Sequence, residues 1–256
     1  MSALQFIDRP SPNFDARTHA IDLVVLHYTG MQDGETALAR LTDSAPTAGK
    51  YPGPWQDATA APDAPLARVS AHYVVGEDGA VYRIVPEESR AWHAGASSWQ
   101  GKGDVNSRAI GIEIVNGGHD FGLPDYPAAQ IEAVIALLRE ILARHQLKPV
   151  QVVAHSDIAP ERKQDPGEKF PWKRLADAGV AVWPEPTVTP ASGEPSVAAL
   201  QTYLASLGYA VKQTGVMDAP TKAALTAFQR RFRPTLIDGA PDVETRTLLA
   251  ALARTA

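Results

Sequence analysis

The run Ile21 to Leu26 (IDLVVL), followed at once by His27, does most to limit what this chain can fold into. Two further stretches of the same kind follow, Ala109 to Val115 (AIGIEIV) and Val150 to Ala154 (VQVVA). Apolar runs of this length suit strands covered on both faces, as in a sheet with helices packed against it. Between the second and third runs, residues 126–145 carry Ile131, Val134, Ile135, Leu138, Ile141 and Leu142. That spacing lays one apolar stripe along a helix of about five turns. His72 to Val75 and Val81 to Val85 flank Gly76-Glu77-Asp78-Gly79 and read as a hairpin with a glycine-containing turn. Strands interleaved with helices predict an α/β fold, a mixed central β-sheet flanked by helices. Residues 44–65, rich in Ala and Pro, fit no element and are expected as a long surface loop forming a groove wall.

The pattern changes after Trp183. Residues 184–195 (PEPTVTPASGEP) hold four prolines and no sustained apolar periodicity, the composition of an extended, semi-rigid linker. Beyond it, Val197, Leu200, Leu204 and Leu207 share one helical face, Ala224, Leu225, Phe228 and Phe232 a second, and Val243, Leu248 and Leu252 a third. Asp218 and Asp242 precede the later two runs, where a side-chain oxygen can cap free backbone N–H groups. The expected organisation is a catalytic unit over 1–183, a linker over 184–195 and a small three-helix unit over 196–256.

Composition removes several function classes. The chain has 256 residues and no cysteine, so disulfides, thiol nucleophiles and cysteine-held zinc are excluded. Any metal must be held by His, Asp or Glu. A formal charge of -5 offers no basic patch for nucleic acid. No apolar run reaches the roughly 18 residues of a membrane-spanning helix. The first residues, MSALQFIDRPSPNFDART, lack the apolar stretch of an export signal, which points to the cytoplasm. A signal removed ahead of Met1 would instead place the protein in the periplasm or on the outer membrane as a lipoprotein. No protein partner is implied, and a monomer is expected.

Chemistry concentrates at two strand ends. His155 follows the run Val152-Val153-Ala154, and His27 follows Leu26. Asp165 lies ten residues after His155, in a loop punctuated by Pro166 and Gly167. Two imidazoles and one carboxylate make a three-ligand zinc set with a fourth position open to water, the mark of a catalytic site. A histidine at a strand end is by default a hydrogen-bonded surface residue, however, and Asp before Pro a turn residue. Spacing alone does not choose between these readings.

The segments LVVLHYTG (23–30), SAHYVVGEDGAVYRIVPE (70–87), AWHAG (91–95), AIGIEIVN (109–116), VVAHSDIAPERKQDPG (152–167) and FPWKRLADAGVAVWP (170–184) together resemble the N-acetylmuramoyl-L-alanine amidases of family 2. That fold is shared with phage T7-type lysozyme and peptidoglycan recognition proteins. LQTYLASLGY (200–209), GVMDAPTKAALTAFQRRF (215–232) and DVETRTLLAAL (242–252) resemble the three-helix peptidoglycan-binding domain. The resemblance implies one Zn2+ per chain on His27, His155 and Asp165, with Glu113 as catalytic acid/base and Lys163 beside the developing oxyanion. An aspartate rather than a cysteine as third ligand points to the bacterial branch. The resemblance also puts His93, and Asn116 after the catalytic strand, against substrate.

These assignments agree with elementary chemistry. Glu113 interrupts an apolar strand, opposite in alternation to Ile112 and Ile114, and partial burial in a cleft would raise its pKa toward a useful range. Lys163 can set a cation beside a carbonyl oxygen as charge builds there. The implied reaction is hydrolysis of the amide between the lactyl group of N-acetylmuramic acid and L-Ala, on peptidoglycan fragments or muropeptides, 1,6-anhydro forms included. A non-catalytic recognition protein and a metallopeptidase are the competing readings. His19, His119 and His145 read as surface residues.

Overall fold

The computed structural model describes residues 4–51, 53, 59–185 and 196–254. Its strands are β1 (Phe6–Asp8), β2 (Phe14–Ala16), β3 (Leu23–Tyr28), β4 (Tyr73–Val75), β5 (Val81–Arg83), β6 (Ser89–Ala91), β7 (Ala109–Ile114) and β8 (Val152–Ala154). Its helices are α1 (Gly34–Thr42), α2 (Val105–Arg108), α3 (Ala128–His145), α4 (His155–Ile158), α5 (Trp172–Asp177), α6 (Val197–Leu207), α7 (Ala219–Phe232) and α8 (Val243–Ala253).

Six strands form one mixed sheet, the class of sheet the sequence predicts, in the order β1-β5-β4-β7-β3-β8. The hairpin of β4 and β5 is antiparallel, while β4, β7, β3 and β8 run parallel to one another. A smaller antiparallel pair, β2 with β6, lies outside this sheet and has no forecast in the sequence.

Alternation along the central strands splits them between two cores. Val24, Leu26, Ile110, Ile112, Ile114, Val152 and Ala154 pack with the apolar stripe of α3 and with Trp172 and Leu175 of α5. On the opposite face, Leu23, Val25, Ala109 and Val153 pack with Leu200, Leu204, Leu225 and Phe228 of the C-terminal helices. Near β4 that same face meets α1, through Val74, Leu38 and Leu41. Both faces are therefore covered, which is why the central runs read as unbroken apolar stretches rather than alternating ones.

The three C-terminal helices form where the sequence places them. Asp218 Oδ1 accepts the N–H of Thr221, and Asp242 Oδ1 accepts that of Thr245, so both acids cap as expected. Val243 does not join the inner face; it is 53% exposed beside its cap. Buried Gln201 and Gln229 hold the connecting turns, each through Nε2 bonds to the turn and to the threonine three residues after the next cap.

Two loop expectations are adjusted. The described residues of 44–65 form no helix or strand beyond a Thr47–Pro65 bridge, and none of them walls the cleft described below. Of the linker, residues 186–195 lie outside the described residues.

Candidate metal centre and cleft

Strand register assembles the site. His27 of β3 is paired directly with Glu113 of β7, and Leu26 with Ala154 of β8, so His155 emerges beside His27 on the other side. All three strands are parallel and open their carboxyl ends on one edge, the usual location of sites in such sheets. His27 and Glu113 share alternation with Val25 and Gly111, on the face that α3 does not cover. That face is the floor of a cleft, where Glu113 is expected.

Asp165 arrives on the loop after α4. The N–H of Ser156 donates to its carbonyl at 3.0 Å, and the Tyr126 hydroxyl donates to Pro166 O at 2.7 Å, so the loop is tied down at both sides. Its Oδ2 then stands 3.1 Å from His27 Nδ1 and 2.9 Å from His155 Nδ1, and the two nitrogens are 2.9 Å apart. All three side chains are buried.

Each imidazole also meets a partner at its outer nitrogen. His155 Nε2 lies 3.2 Å from the carbonyl of Ala94 and 3.4 Å from Nη2 of Arg162. His27 Nε2 lies 3.0 Å from His93 Nδ1. Ligation of a cation requires a lone pair on each Nδ1, and His93 Nδ1 and Ala94 O stand where acceptors for the two Nε2 protons are needed. Two imidazole nitrogens and a carboxylate oxygen converge, a donor set suited to a cation. Burial, then the neighbouring His155, brings the His27 pKa down to about 4, keeping it neutral as a ligand must be. Burial pushes Asp165 upward, but the adjacent imidazoles outweigh it and hold the carboxyl below its ordinary range.

Consecutive residues 93 and 94 therefore orient both imidazoles. Asn106 fixes that pair, its Oδ1 accepting the N–H of His93 at 3.0 Å and of Ala94 at 2.7 Å. The imidazole of His93 also occupies the space left by the absent side chain of Gly111.

A cleft of about 480 Å³ surrounds the centre, lined among others by Tyr28, Arg40, Trp92, His93, Glu113, His119 and Lys163. Its far wall comes from α1 and Trp92. Burial, then the charge of Asp165, raises Glu113 well above the ordinary carboxylate range, with Lys163 pulling the other way. Glu113 Oε2 is buried and has no hydrogen-bond partner among the described residues.

Two expectations change here. Asn116, expected against substrate, is 3% exposed and does not line the cleft. Its Nδ2 donates to Pro124 O and its Oδ1 accepts the N–H of Gly118, so the side chain is used up in shaping its own loop. His119, read as a surface residue, lines the cleft, with Nδ1 accepting from the Tyr28 hydroxyl at 3.0 Å and Nε2 donating to Glu168 at 3.0 Å. The available clue was its position just beyond the carboxyl end of β7. Asn106 and Ala94 carried no signal of their own. His72 is a packed residue, its Nδ1 accepting the N–H of Gly111.

A mixed sheet whose parallel strands present a triad able to hold a metal beside a perturbed acid and a lysine has the parts of a metal-dependent hydrolase. Residues 17–168 match the N-acetylmuramoyl-L-alanine amidase family, and residues 193–249 match the peptidoglycan binding domain family. This chain belongs to the N-acetylmuramoyl-L-alanine amidase family. It is 36% identical over 251 residues to N-acetylmuramoyl-L-alanine amidase AmiD of Escherichia coli K12, covering 91% of this chain and 82% of that one. It is 35% identical over 179 residues to the 1,6-anhydro-N-acetylmuramyl-L-alanine amidase AmpD of Citrobacter freundii, covering 65% of this chain and 86% of that one. The crystal structure of AmpDh3 from Pseudomonas aeruginosa superposes with a TM-score of 0.76 at 36% identity, covering 92% of each chain. The solved complex of AmiD from E. coli with the substrate anhydro-N-acetylmuramic acid-L-Ala-D-γ-Glu-L-Lys superposes with a TM-score of 0.74 at 35% identity, covering 94% of this chain and 92% of that one. Among the described residues, no helix is long and apolar enough to cross a membrane.

Proposed function

We propose that this protein hydrolyses the amide joining the lactyl group of N-acetylmuramic acid to the L-Ala of the stem peptide, in peptidoglycan recycling or turnover. The substrates are muropeptides, the 1,6-anhydro forms included, and one Zn2+ per chain is held by His27, His155 and Asp165. The observation that carries the reading is the convergence of His27 Nδ1, His155 Nδ1 and Asp165 Oδ2 within 3.1 Å, directly beside Glu113. Zinc bound there lowers the pKa of water toward about 7 and polarises a carbonyl oxygen.

The chain's own groups do the rest. Glu113, unpaired and raised in pKa, takes a proton from the attacking water and passes it to the leaving amine. Lys163 offsets the charge that builds on the carbonyl oxygen. His93 serves chiefly by holding His27 in the required tautomer, and Ala94 does the same for His155. Asn116 keeps the loop after β7 in shape. Catalytic chemistry belongs to residues 1–183 and attachment to glycan to residues 196–256, joined by 184–195, and the protein acts as a monomer.

Purified zinc-loaded protein should release a stem peptide with a free L-Ala amino group from anhydromuropeptides, read by mass. Products in which sugar and L-Ala remain joined would overturn the reading. Cell fractionation decides between a cytoplasmic and an exported location.

A further inference from the structure

Helix α7 sets two adjacent arginines against the segment that carries both His155 and Asp165. Arg231 is 4% exposed, and its Nη1 donates to Asp157 Oδ2 at 2.6 Å while Nη2 donates to the carbonyl of Val152 at 3.0 Å. Val152 and Asp157 bracket His155 in the chain. Asp157 is fully buried; Oδ2 also accepts the N–H of Ala154, the residue before His155, and Oδ1 accepts the Tyr209 hydroxyl at 2.6 Å. The guanidinium of Arg231 lies 4.0 Å over the ring of Trp172.

Arg230 addresses the other end of the segment. Its Nη2 is 3.4 Å from Gln164 Oε1 and its Nε 3.6 Å from Glu168 Oε2. Those two residues flank Asp165, and Glu168 in turn holds His119 and so Tyr28, both in the cleft.

An ion pair buried this deeply is poor glue, because desolvating both charges offsets most of their attraction, and apolar side chains would pack as well. What it adds is direction: a carboxylate satisfied by one backbone N–H, one guanidinium and one hydroxyl has a single position. The surrounding contact is apolar and continuous, Val153 and Ile158 packing in one cluster with Leu204 and Phe228. A glycan-gripping module on a tether needs neither feature.

We propose that the C-terminal three-helix unit is a positioning part of the metal centre. Arg231, through Asp157 and Val152, and Arg230, through Gln164 and Glu168, hold residues 155–168 so that His155, Lys163 and Asp165 face the cleft. The inference rests on the zinc amidase reading for its choice of assays, not for its contacts.

The test uses full-length protein, zinc affinity by chelator competition, and turnover of a soluble anhydromuramyl tripeptide, which offers no glycan strand to grip. Arg231→Gln should weaken zinc binding by roughly 10-fold or more, the scale of lost outer contacts to a metal site. It should also lower kcat on the tripeptide while leaving KM nearly unchanged, and Arg231→Lys should recover part of both. Should Arg231→Gln not fold, Arg230→Gln, at the partly exposed edge of the contact, should still lower kcat a few-fold. Variants that keep wild-type zinc affinity and tripeptide kcat, losing only attachment to intact peptidoglycan, would overturn the proposal. A wild-type protein that binds zinc but leaves the tripeptide intact would instead sink the amidase reading, with zinc affinity still deciding this one.

Discussion

His27 Nε2 faces His93 Nδ1 across 3.0 Å, with the two rings edge to face. A metal ligand whose far nitrogen is engaged in this way has its ring plane held before any ion arrives. His93→Phe removes the acceptor and should weaken zinc binding by about 10–100-fold. His93→Gln, which keeps an acceptor at similar reach, should retain more of it. Chelator competition on the two variants checks this.

Gly111 is predicted to resist substitution. A Cβ there would lie 2.5 Å from Cγ of His93, and 2.6 Å from Cδ2, too close for the ring to stay where it holds His27. Gly111→Ala should cost about 1–3 kcal/mol of stability, as overpacked core positions do. It should also lower zinc affinity in step with His93→Phe. Denaturant unfolding and chelator competition on the same preparation measure both.

Glu113 carries a prediction for pH. Its folded pKa is raised by burial and then by Asp165, above the roughly 4.3 of an unfolded glutamate. The stability this group contributes is therefore full below the unfolded value and is lost as pH rises through the folded one. In metal-free protein, Glu113→Gln should flatten that decline and melt higher than wild type at neutral pH. In zinc-loaded protein the same variant should lose about 10²–10⁴-fold in kcat while still binding zinc. Wild-type turnover retained in Glu113→Gln would remove it from the mechanism.

Chelation should destabilise the fold as well as silence it. A ligand that binds only the native state contributes about 4 kcal/mol when free at 1,000 times its dissociation constant. Melting temperature should fall on adding chelator and return with zinc. Asp165→Ala should show the low value throughout, with no response to either.

How much of this was legible in the sequence follows physical lines. The apolar runs announced β3, β7 and β8 because buried strands leave a composition signal, and α3 announced itself by its stripe. The caps Asp218 and Asp242 were readable because capping is a matter of three consecutive residues. Short β1, β2 and β6 were silent, because their residues are largely exposed or half-buried and leave no apolar run. Asn116 and His119 were misjudged for a shared reason: within one loop, hydrogen bonding to local backbone or to a distant side chain decides which residue reaches the cleft.

The sequence by itself determined the class of fold, the helical nature of the C-terminal residues and the residue types available for chemistry. With no cysteine, any metal had to be held by His, Asp or Glu. Tertiary structure alone decided that His27 lies level with Glu113, that residues 93 and 94 orient both imidazoles, and that Arg231 reaches Asp157 across 74 positions of chain. The reason is one of range. Periodicity and capping are local and leave traces in neighbouring residues, whereas strand register and the docking of one unit on another depend on contacts between segments far apart in the chain.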